Sequence, residues 1–495
     1  MHATNPTPFE PVAADLPLCV DLDGTLIRSD LLHEALVLLA KERPWLLLAV
    51  PFWMLRGKAH LKQRVAAAVT LDVDALPYDQ RVLDWLATEQ RGGRHIVLAT
   101  AADSRLARRV ADRLQLFNEV MASDGHVNLG SHAKRDALIE RFGERGFDYA
   151  GDSRADLPVW QAAARAIVIN APRGLAARVR TTTPVDQEFV APARSWRTVV
   201  KAIRVRQWLK NLLVFVPLIA GHEMTNRLLL GQAALAFVAL SLTASGIYLV
   251  NDLLDLRSDR RHATKKKRPF ASGALPIRFG VLLAPLLVGA GFAVASTLPR
   301  MAVVLLFVYL VTTTLYSFWL KRKMLVDVFS LSFLYTLRVL IGAAATGVLA
   351  SPWLLAFAIF VFLSLAFAKR AAELTALDRA GREEAGGRAY FVWDAHAVGM
   401  FGVGAAFSAA IVMALYLQSD DVRTLYRQPT WLWLMVPLVL YWLTRVWLLT
   451  RRGALDEDPI VFATTDRLTY IVAGMAVVIL AIATLAPFPI PGTRG

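Results

Sequence analysis

Apolar runs long enough to cross a bilayer recur in this chain after about residue 210 and do not occur before it. A bilayer core needs roughly 20 consecutive apolar residues in a helix. In lipid the backbone polar groups must be satisfied within the segment, so such runs fold as helices. The chain therefore reads as two parts. The first is a soluble α/β domain with a parallel sheet, and the second is an all-α polytopic membrane domain of about nine helices. The spans are expected near 211–222, 232–250, 279–298, 301–319, 327–347, 353–368, 397–417, 431–449 and 468–487. The first of these is short.

Charge gives the second part an orientation. Loops 251–278, 320–326, 369–396 and 450–467 hold most of the basic residues, while the alternate loops carry little beyond Arg227, Arg300, Arg423 and Arg427. By the positive-inside rule the rich loops face the cytosol. The formal net charge of +15 then reflects anionic lipid and phosphorylated substrates. No basic array interleaved with aromatics suggests nucleic acid. Cys19 is the single cysteine, which excludes a disulfide within the chain. The stretch 1–15 lacks a basic start and an apolar core, so the soluble domain is expected to stay in the cytosol. The expected location is the inner (cytoplasmic) membrane, multi-pass.

The soluble part is punctuated by polar residues placed just after apolar strands. Leu16 to Val20 runs into Asp21-Leu-Asp23-Gly-Thr25, and His95 to Ala99 runs into Thr100. Lys134 opens a helical stretch, and Phe147 to Ala150 reaches Gly151-Asp152-Ser153, with Asp156 beyond. In a parallel sheet, ligands gather at the carboxyl ends of the strands. Asp21 can attack phosphorus as a carboxylate nucleophile. Asp23 can protonate a leaving oxygen and later activate water. Thr100 and Lys134 can hold phosphoryl oxygens, and Asp152 and Asp156 with Asp21 can bind Mg²⁺, with Asp23 a further candidate. This ordered set, over residues 16–172, resembles the haloacid dehalogenase (HAD) phosphatase superfamily. The resemblance implies a Mg²⁺-dependent phosphatase with Asp21 as nucleophile, Asp23 as acid/base, and a helical cap at about 29–91. Within the cap, Pro44 to Leu55 is nearly all apolar but too short to span. The simpler expectation is a buried cap helix. The alternative is a cap that dips into the membrane interface to reach a lipid phosphate. Residues 173–194 read as a linker. Beyond it, Trp196, Val199, Val200 and Ile203 share one helical face opposite Arg197, Lys201 and Arg204, a basic amphipathic helix suited to an anionic membrane surface.

In the membrane part, from 195 to 495, one polar stretch follows directly on an apolar run: Asn251, Asp252, Asp255 and Asp259, then Lys265, Arg268 and Pro269. Acids three and four apart fall on one helix face. Oxygen ligands suit Mg²⁺, which carries phosphates with it. Asp327 is an acid where basic residues are the norm, and Arg338 lies well inside a span. A charge there lines a cavity or has a partner. Asp327 and Arg338 are about three turns apart, so they share a helix face.

The acidic stretch resembles the first aspartate-rich motif of UbiA-type prenyltransferases, which are helical membrane enzymes using Mg²⁺–diphosphate substrates. Tyr316, Lys321 and Asp327 resemble the second motif region, but only one acid stands there. That departure, with Lys210 and Asn211 in Gln207-Trp-Leu-Lys-Asn and with Lys369, Arg370 and Glu373, resembles the decaprenyl-phosphate phosphoribosyltransferase branch. The resemblance implies phosphoribosyl diphosphate as donor and a polyprenyl phosphate as acceptor, with Asp252, Asp255 and Asp259 holding the metal. The phosphatase on the same chain is then expected to remove the sugar 5-phosphate, giving a precursor for cell-envelope glycans. Three other readings stay open at this point: prenyl transfer to an aromatic acceptor, a lipid-phosphate transporter, and a HAD module used only for docking. A homo-oligomer is compatible with all of them.

Overall fold

In a computed structural model, which describes residues 16–191, 195–262, 264–381, 389–455, 459–463 and 465–485, Leu18, Cys19 and Val20 form the fully buried central strand of a parallel sheet. The chain divides into two compact units. One comprises residues up to Ile203 together with Leu249–Leu283. The other comprises Arg204–Tyr248 together with the residues from Ala284 onward.

The first unit runs β1 (Leu18–Val20), α1 (Leu31–Glu42), α2 (Val50–Leu55), α3 (Lys58–Ala68), α4 (Gln80–Arg91), β2 (Ile96–Asp103), α5 (Ser104–Leu114) and β3 (Glu119–Ser123). It continues with α6 (His132–Phe142), β4 (Asp148–Gly151), α7 (Leu157–Ala162), β5 (Ala166–Ile169), α8 (Leu175–Arg180), β6 (Val185–Phe189) and α9 (Trp196–Ala202). The strand order is β3-β2-β1-β4-β5-β6, all parallel. Side chains alternate across the sheet, as a strand's period of two requires. Leu18 and Val20 join one apolar cluster with Ile96 and Leu98, while Cys19 joins another with Val97, Phe147 and Trp160. Both faces are covered, so the strands read as continuous apolar runs. The chain winds from β1 to β3 on one side and returns through β4 on the other. The crevice at the carboxyl ends of β1 and β4 is thus a topological switch point, where doubly wound sheets bind ligands.

Two sequence expectations change here. The stretch read as a linker, 173–194, carries α8 and β6, and β6 pairs with β5 from Ala166↔Val185 to Ile169↔Phe189. It is an edge strand with exposed residues alternating along it, so its apolar signal is weak. In addition, Pro44–Leu55 is not a buried helix. It forms a 3₁₀ turn (Pro44–Ala49) and α2, neither of which contains a buried residue.

Further along the chain come α10 (Val216–Ala220), α11 (Arg227–Leu254), α12 (Leu256–Arg261), α13 (Ile277–Ala295), α14 (Arg300–Phe318), α15 (Val326–Thr346) and α16 (Pro352–Arg379). They are followed by α17 (Ala395–Leu417), α18 (Asp420–Leu425), α19 (Met435–Arg451), α20 (Pro459–Ala463) and α21 (Arg467–Leu485). Among the described residues eight helices are long and apolar enough to cross a membrane: α11, α13, α14, α15, α16, α17, α19 and α21. The expected ninth, at 211–222, is a 3₁₀ segment (Val205–Phe215) followed by the five residues of α10. Pro217, at the junction, cannot donate the hydrogen bond that a continuous helix needs. This segment is packed inside the second unit: a side chain at Gly342 of α15 would collide with the Val214 carbonyl. Polar contacts tie the helices where apolar attraction between them is weak. Ser364 donates to the Gly402 carbonyl at 2.8 Å and accepts from Trp447 at 3.0 Å.

The second segment of the first unit belongs structurally with the cap. Arg260 donates to both carboxylate oxygens of Glu34 on α1, at 3.0 and 2.6 Å, and its Nε donates to the Ala271 carbonyl at 3.0 Å. Both side chains of this pair are at least nine-tenths buried. Lys41 donates to the Leu254 carbonyl at 2.8 Å and pairs with Asp255 at 3.2 Å. Arg257 and Arg261 both reach Asp72, but they are more than half exposed and add little. Breaking a buried pair from one side costs about 3–5 kcal/mol, because the other charge stays buried. Arg260→Met is therefore expected to speed hydrogen exchange in 31–42 and 269–276 while α14 to α17 keep their protection. Unchanged exchange in both segments would show that the pair does not hold them together.

Candidate functional site

Asp21 follows β1 and Asp152 follows β4, so the sheet register brings the two acids to the same edge. Lys134, in the first turns of α6, reaches between Asp21 and Asp156. Its Nζ lies 2.7 Å from Asp21 Oδ1, 2.8 Å from the Tyr149 hydroxyl and 3.7 Å from Asp156 Oδ1. Burial opposes the ammonium charge, but Asp21 and Asp156 outweigh it and hold the Lys134 pKa above its usual value. Asp156 is fixed from all sides. The Tyr149 hydroxyl donates to it at 2.8 Å, the Ser153 hydroxyl at 2.9 Å and the Ser153 amide at 3.1 Å. Gly24, with φ of +81°, turns the chain so closely past the Asp152 carboxylate that a side chain there would collide with it.

Asp21, Asp152 and Asp156 each offer an oxygen within 4.8 Å of the others. Burial pushes Asp21 up to about 6 against the pull of Lys134. Burial, then the Asp21 and Asp156 charges, push Asp152 up to about 9. Three crowded carboxylate oxygens are the donor set of a hard divalent cation, and they fit Mg²⁺. Asp23 stands outside this trio, with its Oδ1 accepting from the Leu31 amide at 2.9 Å. Burial, then Asp30 and Asp21, keep its pKa well above the usual range, as an acid at neutral pH requires. Asp23 thus supplies none of the three converging oxygens.

Thr100 departs from expectation. Strand β2 runs on to Asp103, so Thr100 is fully buried and its hydroxyl accepts from the Ala102 amide at 3.0 Å. It is Ala101, Ala102 and Asp103 that border the cavity in front of Asp21. That cavity is about 680 Å³. Its lining includes Lys62 from the cap and Ser272, Gly273, Pro276, Ile277 and Arg278 from the segment following the acidic stretch. Lys62 donates to the Ala101 carbonyl at 2.6 Å and to Asn128 at 2.8 Å. Tyr149, Lys62 and Arg278 were not singled out from sequence. Tyr149 lies inside an apolar strand, where nothing local marks its hydroxyl, and the other two meet the cavity only through tertiary folding.

The acidic stretch is not one helix face. Helix α11 ends at Leu254, Asp255 departs from helical geometry, and α12 begins at Leu256. Asp252 and Asp259 turn to a shared partner, Arg268, whose Nη1 donates to them at 3.1 and 2.6 Å. Asp255 pairs instead with Lys41. The three expected metal ligands therefore do not form a close trio. Asp252 and Asp259 converge on the Arg268 guanidinium, and carboxylate oxygens so placed are donors of the kind Mg²⁺ takes. Burial raises the Asp259 pKa against the opposing pull of Arg268. Asn251 is half-buried on the last turns of α11, and Lys265 is exposed.

In the second unit the remaining residues form two clusters along α15. Near its middle, Arg338 Nε donates to Asn211 at 3.0 Å and Nη2 to the Tyr309 hydroxyl at 3.2 Å, and Nη1 donates to the Leu334 carbonyl. Its guanidinium lies 5.1 Å from the ring centres of both Tyr309 and Tyr335. Lys210 is buried, 5.7 Å from the Tyr335 ring centre. At the start of α15, Asp327 is fully buried, ion-paired with Arg370 and accepting from the Tyr390 hydroxyl at 2.7 Å. Arg370 also pairs with Glu373. Tyr316 is within electrostatic reach of Lys369, Arg370, Asp327 and Glu373, and Lys321 is half-buried in the turn before α15. Thus Asp327 and Arg338 each have their own partners. Two acids of the basic loop 450–467, Asp456 and Asp458, lie outside the described residues.

Residues 213–469 match the family description for UbiA prenyltransferases. The chain belongs to the UbiA prenyltransferase family. An uncharacterised protein of Sinorhizobium fredii is 37% identical over 469 residues, 93% of this chain and 89% of that one. The nodulation protein NoeC of Azorhizobium caulinodans is 35% identical over 273 residues, 54% of this chain and 87% of that one. The decaprenyl-phosphate phosphoribosyltransferase of Mycobacterium tuberculosis is 40% identical over 195 residues, which cover 38% of this chain and 64% of that one. Among solved structures, a UbiA homologue from Archaeoglobus fulgidus bound to DMAPP and Mg²⁺ is similar over 58% of this chain and 99% of that one, with a TM-score of 0.45 and 13% identity. A HAD-family hydrolase from Salmonella enterica serovar Typhi is similar over 35% of this chain and 66% of that one, with a TM-score of 0.26 and 15% identity. This UbiA-family chain is a multi-pass membrane protein whose N-terminal part is built on a six-stranded parallel sheet.

Proposed function

We propose that this protein transfers phosphoribosyl from phosphoribosyl diphosphate to a polyprenyl phosphate and then removes the sugar 5-phosphate, supplying a lipid-linked pentose for cell-envelope glycans. The observation that carries this reading is the shared wall. Residues 272–278, which directly follow the acidic stretch, line the cavity in front of Asp21 within one unit. An aromatic product would give that cavity nothing to hydrolyse. The phosphoribosyltransferase relatives and the lone Asp327, its charge already taken by Arg370 and Tyr390, support the same choice.

In the transfer, a lipid phosphate oxygen attacks C1 of the ribose as the C1–O bond to diphosphate breaks. Mg²⁺, bound through Asp252 and Asp259, would offset the leaving group's charge. Arg268 and Lys265, in the same unit as these acids, add positive charge beside the diphosphate. In the second reaction Asp21 attacks phosphorus, and the bond from phosphorus to the sugar O5 breaks as Asp23 delivers a proton to that oxygen. Asp23, now a carboxylate, takes a proton from the water that releases phosphate from Asp21. Lys134 holds Asp21 in place throughout. Both reactions belong on the cytosolic face of the inner membrane by the positive-inside count.

The test is to incubate the purified protein with Mg²⁺, phosphoribosyl diphosphate and a polyprenyl phosphate, and to follow the lipid by mass spectrometry. Ribosyl lipid lacking the 5-phosphate is expected. If no ribosylated lipid forms while prenyl diphosphate and an aromatic acid do react, the donor assignment is wrong.

A further inference from the structure

The cap carries an apolar surface that the phosphatase chemistry does not use. In residues 44–55, Leu46, Val50 and Trp53 pack inward against Ala35, Leu39, Leu61 and Val65. Trp45, Leu48, Phe52, Met54 and Leu55 point away, each between 59% and 85% exposed. A soluble surface rarely concentrates so many large apolar side chains without a partner for them. The flanking residues Arg43, Arg56 and Lys58 are exposed and basic. Tryptophan among leucines, bordered by arginine and lysine, is the composition of a segment lying at an anionic lipid interface.

A second observation sets the level of this surface. Lys41, in the last turn of α1, donates to the carbonyl of Leu254 at 2.8 Å. Leu254 is the last residue of α11, a helix long and apolar enough to cross a bilayer. Pro44 follows Lys41 by three residues, so the apolar turn begins at the level where a span ends. We propose that residues 44–55 insert into the lipid interface, and that the occupant of this surface is the bilayer itself, with its acyl boundary against Phe52 and Leu55 and its anionic headgroups against Arg43, Arg56 and Lys58. This inference does not depend on the reaction assigned to either site.

The full chain, reconstituted in nanodiscs containing phosphatidylglycerol, provides the test. Phe52→Cys and, separately, Leu55→Cys carry an environment-sensitive fluorophore, and Glu144→Cys, exposed after α6, serves as reference. Cys19 is fully buried and burial pushes its thiol pKa up, so the unsubstituted chain is a low-label blank. Lipids bearing a nitroxide on the upper acyl chain are expected to quench both cap probes several-fold more than the reference. Quenching at either cap position no greater than at Glu144 overturns the proposal. So does a blue-shifted emission that lipid does not quench, which means a second copy or another protein segment covers the surface.

Discussion

Asp21→Asn is expected to leave the 5-phosphate on the ribosyl lipid while transfer continues. The amide has nearly the shape of the carboxylate, but it lacks the charge that attacks phosphorus and that Lys134 holds at 2.7 Å. Lys134 would remain buried with Asp156 as its nearest carboxylate, at 3.7 Å. Removal of a nucleophile typically costs on the order of 10⁴-fold or more in turnover. Mass spectrometry of the lipid product separates the two steps, because the retained phosphate marks the block. Dephosphorylation at the wild-type rate would take Asp21 out of the nucleophile's role.

The second large effect is expected from Asp252→Ala. Asp252 is buried and shares Arg268 with Asp259. Its loss removes one of two converging carboxylates and leaves Arg268 biased toward Asp259. Loss of one preorganised electrostatic group generally costs about 10²–10³-fold in rate. Phosphoribosyl transfer should fall by that order, while hydrolysis of a small soluble phosphomonoester at Asp21 continues. Undiminished transfer would remove the acidic stretch from the donor site. Equal loss of both activities would mean that the substitution unfolds the segment shared with the cavity. Asp255→Ala is a useful contrast, since Asp255 pairs with Lys41 of the cap.

Local features made part of this legible in the sequence. Asp21, Lys134, Asp152 and Asp156 each follow or open an element with a clear apolar pattern, and the structure gathers them at one sheet edge. The long apolar helices are equally plain, because an unbroken apolar run of that length satisfies its own backbone in lipid only as a helix. What sequence could not supply was tertiary. The α11–α12 break at Asp255 separates acids whose spacing fits one helix face. The partner of Glu34 is 226 residues away, at Arg260, and Tyr390 reaches Asp327 across 63. Val185–Phe189 was missed because an edge strand with alternating exposure resembles a linker. The segment at 211–222 is apolar in composition, but its backbone passes from 3₁₀ to α-helix at Val216 and that helix ends at Ala220, too short to span.

The first unit is discontinuous along the chain, and this bears on the order in which it is made. Its sheet is complete once residue 189 has left the ribosome, but its cavity wall at 272–278 is synthesised only after α11. Domains generally fold as their residues emerge, N-terminal part first. The nascent chain thus carries an unfinished cavity in front of Asp21 until its first long apolar helix exists and is available for membrane insertion. Completion of that acidic cavity is thereby tied to the synthesis of a helix suited to the bilayer.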